Sequence, residues 1–452
     1  MSRSVLAVWA ALCAAITLPG LAAEPAPPYS STYAPAAAAP VLLRHATVLT
    51  GSGARLDETD LLLADGRISA VGKDLAAPPG ALVIEARGRW ITPGIIDPHS
   101  HLGGGGSPHI AINNDVNELT SPTTPQVWVE HSVWPQDPGF ATARAGGVTA
   151  LMILPGSGNL IGGRGTLLKN VPATTYQEMK FPGAPQALKM ACGENPKRVY
   201  GDQKKAPSTQ MGNVAGYREA FTKAANYREK RRAWEKKREG AQPDRDIGME
   251  TLLEVMDGKI LVQWHCYRAE QMATALDIAR EFGFKVAAFH HAAEAYKIAP
   301  LLKESGTCAA MWADWYGFKL ESFDGIRENI AIVDAVGACA TLHSDDETGI
   351  QLLNQEAAKA MAAGRRAGLN IAPERAIVWL TANPARAVGV FDKVGSLDAG
   401  KQADVVLWNG NPFSVYAQAD LVYIDGVLVH DRAHPAADSD FVIGTNNRKD
   451  QP

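Results

Sequence analysis

Apolar and polar positions divide the chain into three regimes. Residues 41–90 alternate over the short runs "VLLRHATVLTG", "DLLLADGRISAVG" and "ALVIEARGRW". Alternation with period two predicts strands with one buried face. Asp65-Gly66 between two apolar runs predicts a hairpin turn. The pattern returns near the other end in "QADVVLWNG" and "ADLVYIDGVLVHD", where Asp425-Gly426 marks a second hairpin. Neither set carries enough apolar surface to stand alone, so 41–90 and 385–435 are expected to form one small composite β-sandwich domain built from both termini. Between them, residues 91–384 alternate apolar runs with helical periodicity. Eight runs read as strands: 94–101, 147–154, 165–171, 187–192, 259–266, 284–291, 307–312 and 338–345. Segments such as "AEQMATALDIAREFG", with Gly283 at its end, read as the crossover helices between them. Eight βα units predict an α/β (β/α)8 TIM barrel.

The flanks and one insertion need separate readings. Arg3, the apolar run Val5 to Leu18, and small residues at Ala22 and Ala23 have the form of a secretory signal over 1–23. This predicts a secreted or periplasmic protein. Residues 24–40 are an Ala/Pro-rich linker, and 436–452 a C-terminal tail. The stretch "YREAFTKAANYREKRRAWEKKREG" reads as a basic amphipathic helix with Tyr217, Phe221 and Trp234 on its apolar side. It is expected to cover the barrel or a neighbouring subunit.

Composition changes this picture little. The chain has 452 residues, 46% apolar and 20% charged, with ample material for a core. A net charge of −4 offers no basic field for nucleic acid. No other run is long enough to span a membrane. The expected partner is a small-molecule substrate, with a homo-oligomer possible in principle. Cys192, Cys266, Cys308 and Cys339 are widely spaced and lie in or near apolar strands. They are expected to be buried free thiols with no disulfide framework.

The chemistry gathers at strand ends. "GIIDPHSH" closes the first barrel strand with His99 and His101, which share a face because strand side chains alternate. Two imidazoles on one face suit a divalent ion such as zinc, which accepts ring nitrogens at ~2.0–2.1 Å. In a barrel this strand end carries the chemistry. His265 ends strand five and His291 strand six, with His290 an alternative facing the opposite way. Asp345 ends strand eight within "LHSDDE", with Asp346 as runner-up. His343 shares the face of Asp345 one step deeper. The glycine-rich "PGSGNLIGGRG" lacks the strand–loop–helix order of a nucleotide site. It is expected to shape the substrate mouth, as is 103–138 with Asn113, Asp115, Asn117 and Glu118. Arg198 and Tyr200 are either substrate-carboxylate contacts or a surface loop.

The stretch "PGIIDPHSH" resembles the first metal motif of the amidohydrolase superfamily, and more narrowly its imidazolonepropionase-related branch. The resemblance extends over about residues 41–432. It implies a metal-dependent hydrolase of amide-like C–N bonds, acting on cyclic amides, dipeptides or N-acyl amino acids. The implied ligands are His99, His101, His265, His291 and Asp345, with Asp345 also the catalytic general base for a water activated by the ion. "AAEAYKIA" after strand six resembles the family's run there and favours His291. The superfamily often carries a carboxylated lysine on strand four, which implies two ions bridged by Lys189; without that modification, one ion. The alternative is a Lys189 that snorkels or pairs with Glu194. Deaminases of this kind carry a Glu three residues after the strand-five histidine, where this chain has Arg268. A deaminase and a catalytically inactive ligand-binding homologue are the rival readings.

Overall fold

A computed structural model of the protein describes residues 29–106 and 111–435. The proposed signal segment, the start of the linker and the tail from 436 lie outside the described residues.

Strands from the two ends of the chain form one hydrogen-bonded sheet. They are Val41–Leu49 (β1), Arg55–Ala64 (β2), Arg67–Gly72 (β3), Leu82–Glu85 (β4) and Trp90–Pro93 (β5) from the first part. The sheet's order is completed by three strands from the last part, Val405–Trp408, Ala419–Ile424 and Val427–Asp431. The sheet branches at β1: its first half pairs with β4 and its second half with β5. The strands of this accessory domain thus form a single branched ladder. Asp65 and Asp425 occupy the left-handed region at φ 53° and 47°, each followed by a glycine at positive φ, as the two hairpins require. The apolar face of this sheet buries Leu43, Val48, Leu61, Ile91, Val405 and Leu407 in its own core. Lys169 ties the sheet to the barrel: its ammonium, fully buried, lies 3.2 Å from Asp404 and 2.6 Å from Asp425.

The second sheet is the barrel. Its strands are Ile95–Ser100 (β6), Val148–Ile153 (β7), Ile161–Lys169 (β8), Ala187–Ala191 (β9), Leu261–Cys266 (β10), Val286–His291 (β11), Cys308–Met311 (β12) and Ala340–Leu342 (β13), in sequential order across the sheet. The seam between β13 and β6 is closed by bonds outside the ladder. The Asp345 amide donates to His99 O at 3.0 Å, and the Ser344 amide to Asp97 Oδ1 at 3.1 Å. Strand β8 runs antiparallel to both neighbours. Only residues 154–160 separate it from β7, and a parallel return needs a crossover of about a dozen residues. It also begins at Ile161 rather than 165, because Gly162 and Gly163 belong to the strand and not to the loop before it. A Cβ at Gly163, where φ is 117°, would stand 2.3 Å from Val127 O, so only glycine lets the 121–128 segment lie along this strand.

The basic helix runs from Gln210 to Lys237. Asn213, Tyr217, Phe221 and Ala224 form its buried stripe at helical spacing, and Phe221 stacks on Phe284 with ring centroids 4.7 Å apart. Trp234 lies beyond that stripe and is only half-buried. Arg218 pairs with Glu281 and Arg228 with Asp257, so part of the positive charge serves to hold neighbouring helices. No helix among the described residues is long and apolar enough to cross a membrane.

The expectation of free thiols is overturned. Cys192 is bonded to Cys266 and Cys308 to Cys339. The partners lie 74 and 31 residues apart in sequence, but β9 neighbours β10 and β12 neighbours β13. That adjacency brings their Cα atoms to 5.3 and 4.4 Å, within disulfide reach. Spacing along the chain carries no such information.

Candidate metal centre

The centre is assembled at the C-terminal ends of the parallel strands. His99 and His101 close β6, with ring centroids 5.0 Å apart. Asp345, just past β13, faces both: its Oδ1 lies 3.1 Å from His101 Nε2 and 3.4 Å from His99 Nε2. His291 Nδ1 stands 3.8 Å from Asp345 Oδ2. Two groups of potential ligand atoms result, each within 4.8 Å of one another: His99 with His101 and Asp345, and His99 with His291 and His343. His343 therefore belongs to the cluster rather than standing behind it. His265 is outside both groups, but its ring centroid is 4.4 Å from that of His291.

Strand alternation fails at two of these positions. His291 has φ 69° and Asp345 φ 52°, in the left-handed region that non-glycine residues rarely adopt. Their side-chain directions therefore do not follow from period two. His290 and His291 both bring their rings to about 5 Å of His99, at 4.7 and 5.1 Å. They differ in partners: His290 Nε2 is held by Gln263 Oε1 at 2.7 Å, whereas His291 faces Asp345. Asp346 turns away to cap the following turn, its Oδ1 accepting from the Thr348 and Gly349 amides.

Lys189, on β9, is fully buried. Its Nζ lies 3.0 Å from His99 Nε2 and donates to Pro155 O at 2.9 Å. It neither reaches solvent nor pairs with Glu194. Burial pulls its pKa down to about 7. The imidazoles behave likewise. Burial lowers His265 to about 4 and His343 to about 3, and takes His99, His290 and His291 well below the ordinary histidine value. Asp345 moves the other way to its burial. Desolvation raises it, but the hydrogen bond and charge of His101 outweigh that and keep it below the usual carboxylate value.

The donor set fits a divalent ion. His99 Nδ1, His291 Nδ1, His343 Nδ1 and both ring nitrogens of His265 are buried without a hydrogen-bond partner. Such groups are costly unless something else accepts their lone pairs. Neutral imidazoles beside an ionised carboxylate are the ligand types zinc takes. His101 is oriented for such a role, its Nδ1 lying 2.8 Å from Leu154 O and leaving Nε2 toward the cluster.

The centre opens into a cleft of about 980 Å3. Asn117, Gly156 and Ser157 line it, as the sequence suggests; Asn113, Asp115 and Glu118 do not. Arg198 reaches the cleft, while Tyr200 is buried and bonds Ser121 O and Asn159. Several lining residues escape sequence reasoning: Tyr267, Trp312, Trp315, Phe318 and Lys319. For the last four the signal is the aromatic density of "MWADWYGFK" at the end of the seventh strand; Tyr267, two residues past His265, carries none. Glu321 is also unforeseen. It accepts the Glu194 amide at 2.9 Å and pairs with Lys319 at 2.7 Å beside His265. Burial raises its pKa, yet His265 and Lys319 bring it down to about 2. Glu294, just past β11, accepts the Ala269 amide at the start of a helix.

Fold and cluster define a class: an α/β barrel built to hold a divalent ion at its mouth. Comparison with known proteins narrows it. The amidohydrolase family model matches residues 321–435. The structure of an amidohydrolase from Thermotoga maritima MSB8 superposes with a TM-score of 0.80 at 36% identity, covering 87% of this chain and 100% of that one. The chain belongs to the amidohydrolase family. It is 31% identical over 414 residues to amidohydrolase tasK of Hapsidospora irregularis, covering 85% of this chain and 42% of that protein. It thus spans less than half the length of that relative. It is also 24% identical over 401 residues to an imidazolonepropionase of Mesorhizobium japonicum, covering 79% of this chain and 87% of that protein.

Proposed function

We propose that this chain is a metal-dependent hydrolase of amide-like C–N bonds, exported from the cytoplasm, with cyclic amides, dipeptides or N-acyl amino acids as its substrate range. The observation that carries the reading is the imidazole cluster, several of whose buried ring nitrogens lack a hydrogen-bond partner, facing the ionised Asp345 at the floor of a large cleft. His99, His101, His265, His291 and Asp345 would hold the ion, with His343 within reach. A bound divalent ion polarises a carbonyl and lowers the pKa of water from 15.7 toward ~7. Asp345 serves as the base: its carboxylate is ionised, lines the cleft with its side chain 23% exposed, and is able to take a proton from water and return it to a leaving nitrogen. Lys189 is the candidate for carboxylation, since a buried amine with a lowered pKa is partly neutral at physiological pH and can add to carbon dioxide.

The match to an imidazolonepropionase supports placement near that branch. The charged-then-apolar start of the sequence and the two disulfides support export, because disulfides persist in oxidising compartments. The deaminase reading loses ground on a specific point. Arg268 follows His265 where a carboxylate would be needed, and it pairs with Glu270 at 2.7 Å.

Metal analysis of the purified protein, followed by assay of N-acyl amino acids, dipeptides and cyclic ureides, tests the reading. Expected are bound divalent metal and release of an amine or ring-opened product. About two ions per chain supports a carboxylated Lys189, and about one removes that bridge. A metal-loaded protein that releases only ammonia from aminated rings, or nothing, overturns amide hydrolysis.

A further inference from the structure

One side of the cleft is a continuous aromatic wall that begins at the metal centre and runs outward. His291 contacts Trp312 at a ring-centroid distance of 4.5 Å and Tyr267 at 5.0 Å. Trp312 stacks on Trp315 at 5.6 Å and meets Phe318 edge-on at 5.9 Å. Tyr267 and Trp312 are buried, but Trp315 is 40% and Phe318 59% exposed. The wall is also braced. The Lys319 ammonium lies 4.0 Å from the Tyr267 ring centroid and is held by Glu321 at 2.7 Å and by Asn195 at 3.3 Å.

A set of rings this contiguous, exposed inside a cleft rather than scattered over the surface, marks a binding surface. Aromatic faces prefer offset or edge-on contact with other rings. The inner rings are buried in such contacts among themselves, whereas the outer two keep much of their surface exposed to the cleft. From this we infer that the cleft selects amides carrying an aromatic ring next to the scissile bond, with Trp315 and Phe318 as the specificity-determining residues. The inference rests on the amide-hydrolase reading for the reaction but not for the binding preference. Trp315 and Phe318 touch none of the proposed ligands, and their exposure lets them be replaced without opening the core.

The test is equilibrium binding to the metal-loaded protein, followed by initial rates, with N-acetyl-L-phenylalanine and N-acetyl-L-leucine as probes. Wild type is expected to bind the aromatic probe about tenfold more tightly than the aliphatic one. Trp315→Ala and Phe318→Ala should each weaken the aromatic probe more than the leucine probe and so erode that preference, while leaving the thermal midpoint unchanged. Phe318→Tyr, which keeps a ring, should retain it. Equal binding of the two probes, no saturable binding of the aromatic one, or a preference that survives both alanine variants overturns the proposal. Preferential binding without turnover sustains the wall and counts against hydrolysis; turnover of both probes without preference does the reverse.

Discussion

Asp345 concentrates the site's demands in one residue. Its left-handed backbone, at φ 52°, is sustained by the seam bond from its amide to His99 O. Its two oxygens face different imidazoles, so orientation and charge are set together. Asp345→Asn keeps the shape and removes the basic lone pair. We expect kcat to fall about 10²–10⁴-fold, the usual share of a general base, with metal still bound. Assay of the metal-reconstituted variant checks this, and a change below about twofold would remove Asp345 as the base. Lys189 illustrates what a residue alone reveals. A lysine inside the apolar run "ALKMAC" is visibly unusual, yet only the fold shows its Nζ against His99 Nε2.

At the scale of elements, two features govern how the centre is held. The long basic helix covers the barrel through a narrow stripe. Phe221→Ala removes a fully buried ring stacked on Phe284, and should cost about 3–5 kcal/mol in denaturant unfolding. Loss below about 1 kcal/mol would show that the helix is not anchored there. The Cys192–Cys266 bond clasps the ends of β9 and β10, which carry Lys189 and His265. Its partners are 74 residues apart, so the double serine variant should lose on the order of 4 kcal/mol through the freer unfolded chain. Unchanged unfolding of the variant under oxidising conditions would contradict the bond. Strand positions were largely legible from apolar runs. The direction of β8 was not, although the short 154–160 connection pointed to it once the strand's true start at Ile161 is known.

For the molecule as a whole, the buried histidines set its response to acid. His99, His265, His290, His291 and His343 are neutral when folded, and all have pKa values below that of the unfolded chain. Below about pH 6.5 the unfolded state binds more protons than the folded one, so stability declines as pH falls through that value. The decline continues down to the folded values, about 4 for His265 and about 3 for His343. Each histidine contributes up to about 1.4 kcal/mol per pH unit in that window. The metal-free protein should therefore have a markedly lower urea midpoint at about pH 5.5 than at about pH 7.5, and equal midpoints would mean the cluster is solvated. The sequence by itself determined the strand and helix periodicities, the hairpin turns and the histidines and aspartate at strand ends, because these depend on local spacing and side-chain chemistry. Tertiary structure alone decided the antiparallel β8, the cysteine pairing, the entry of His343 into the cluster and the aromatic wall. Each depends on which distant segments become neighbours, and on left-handed backbone turns that no alternation rule anticipates.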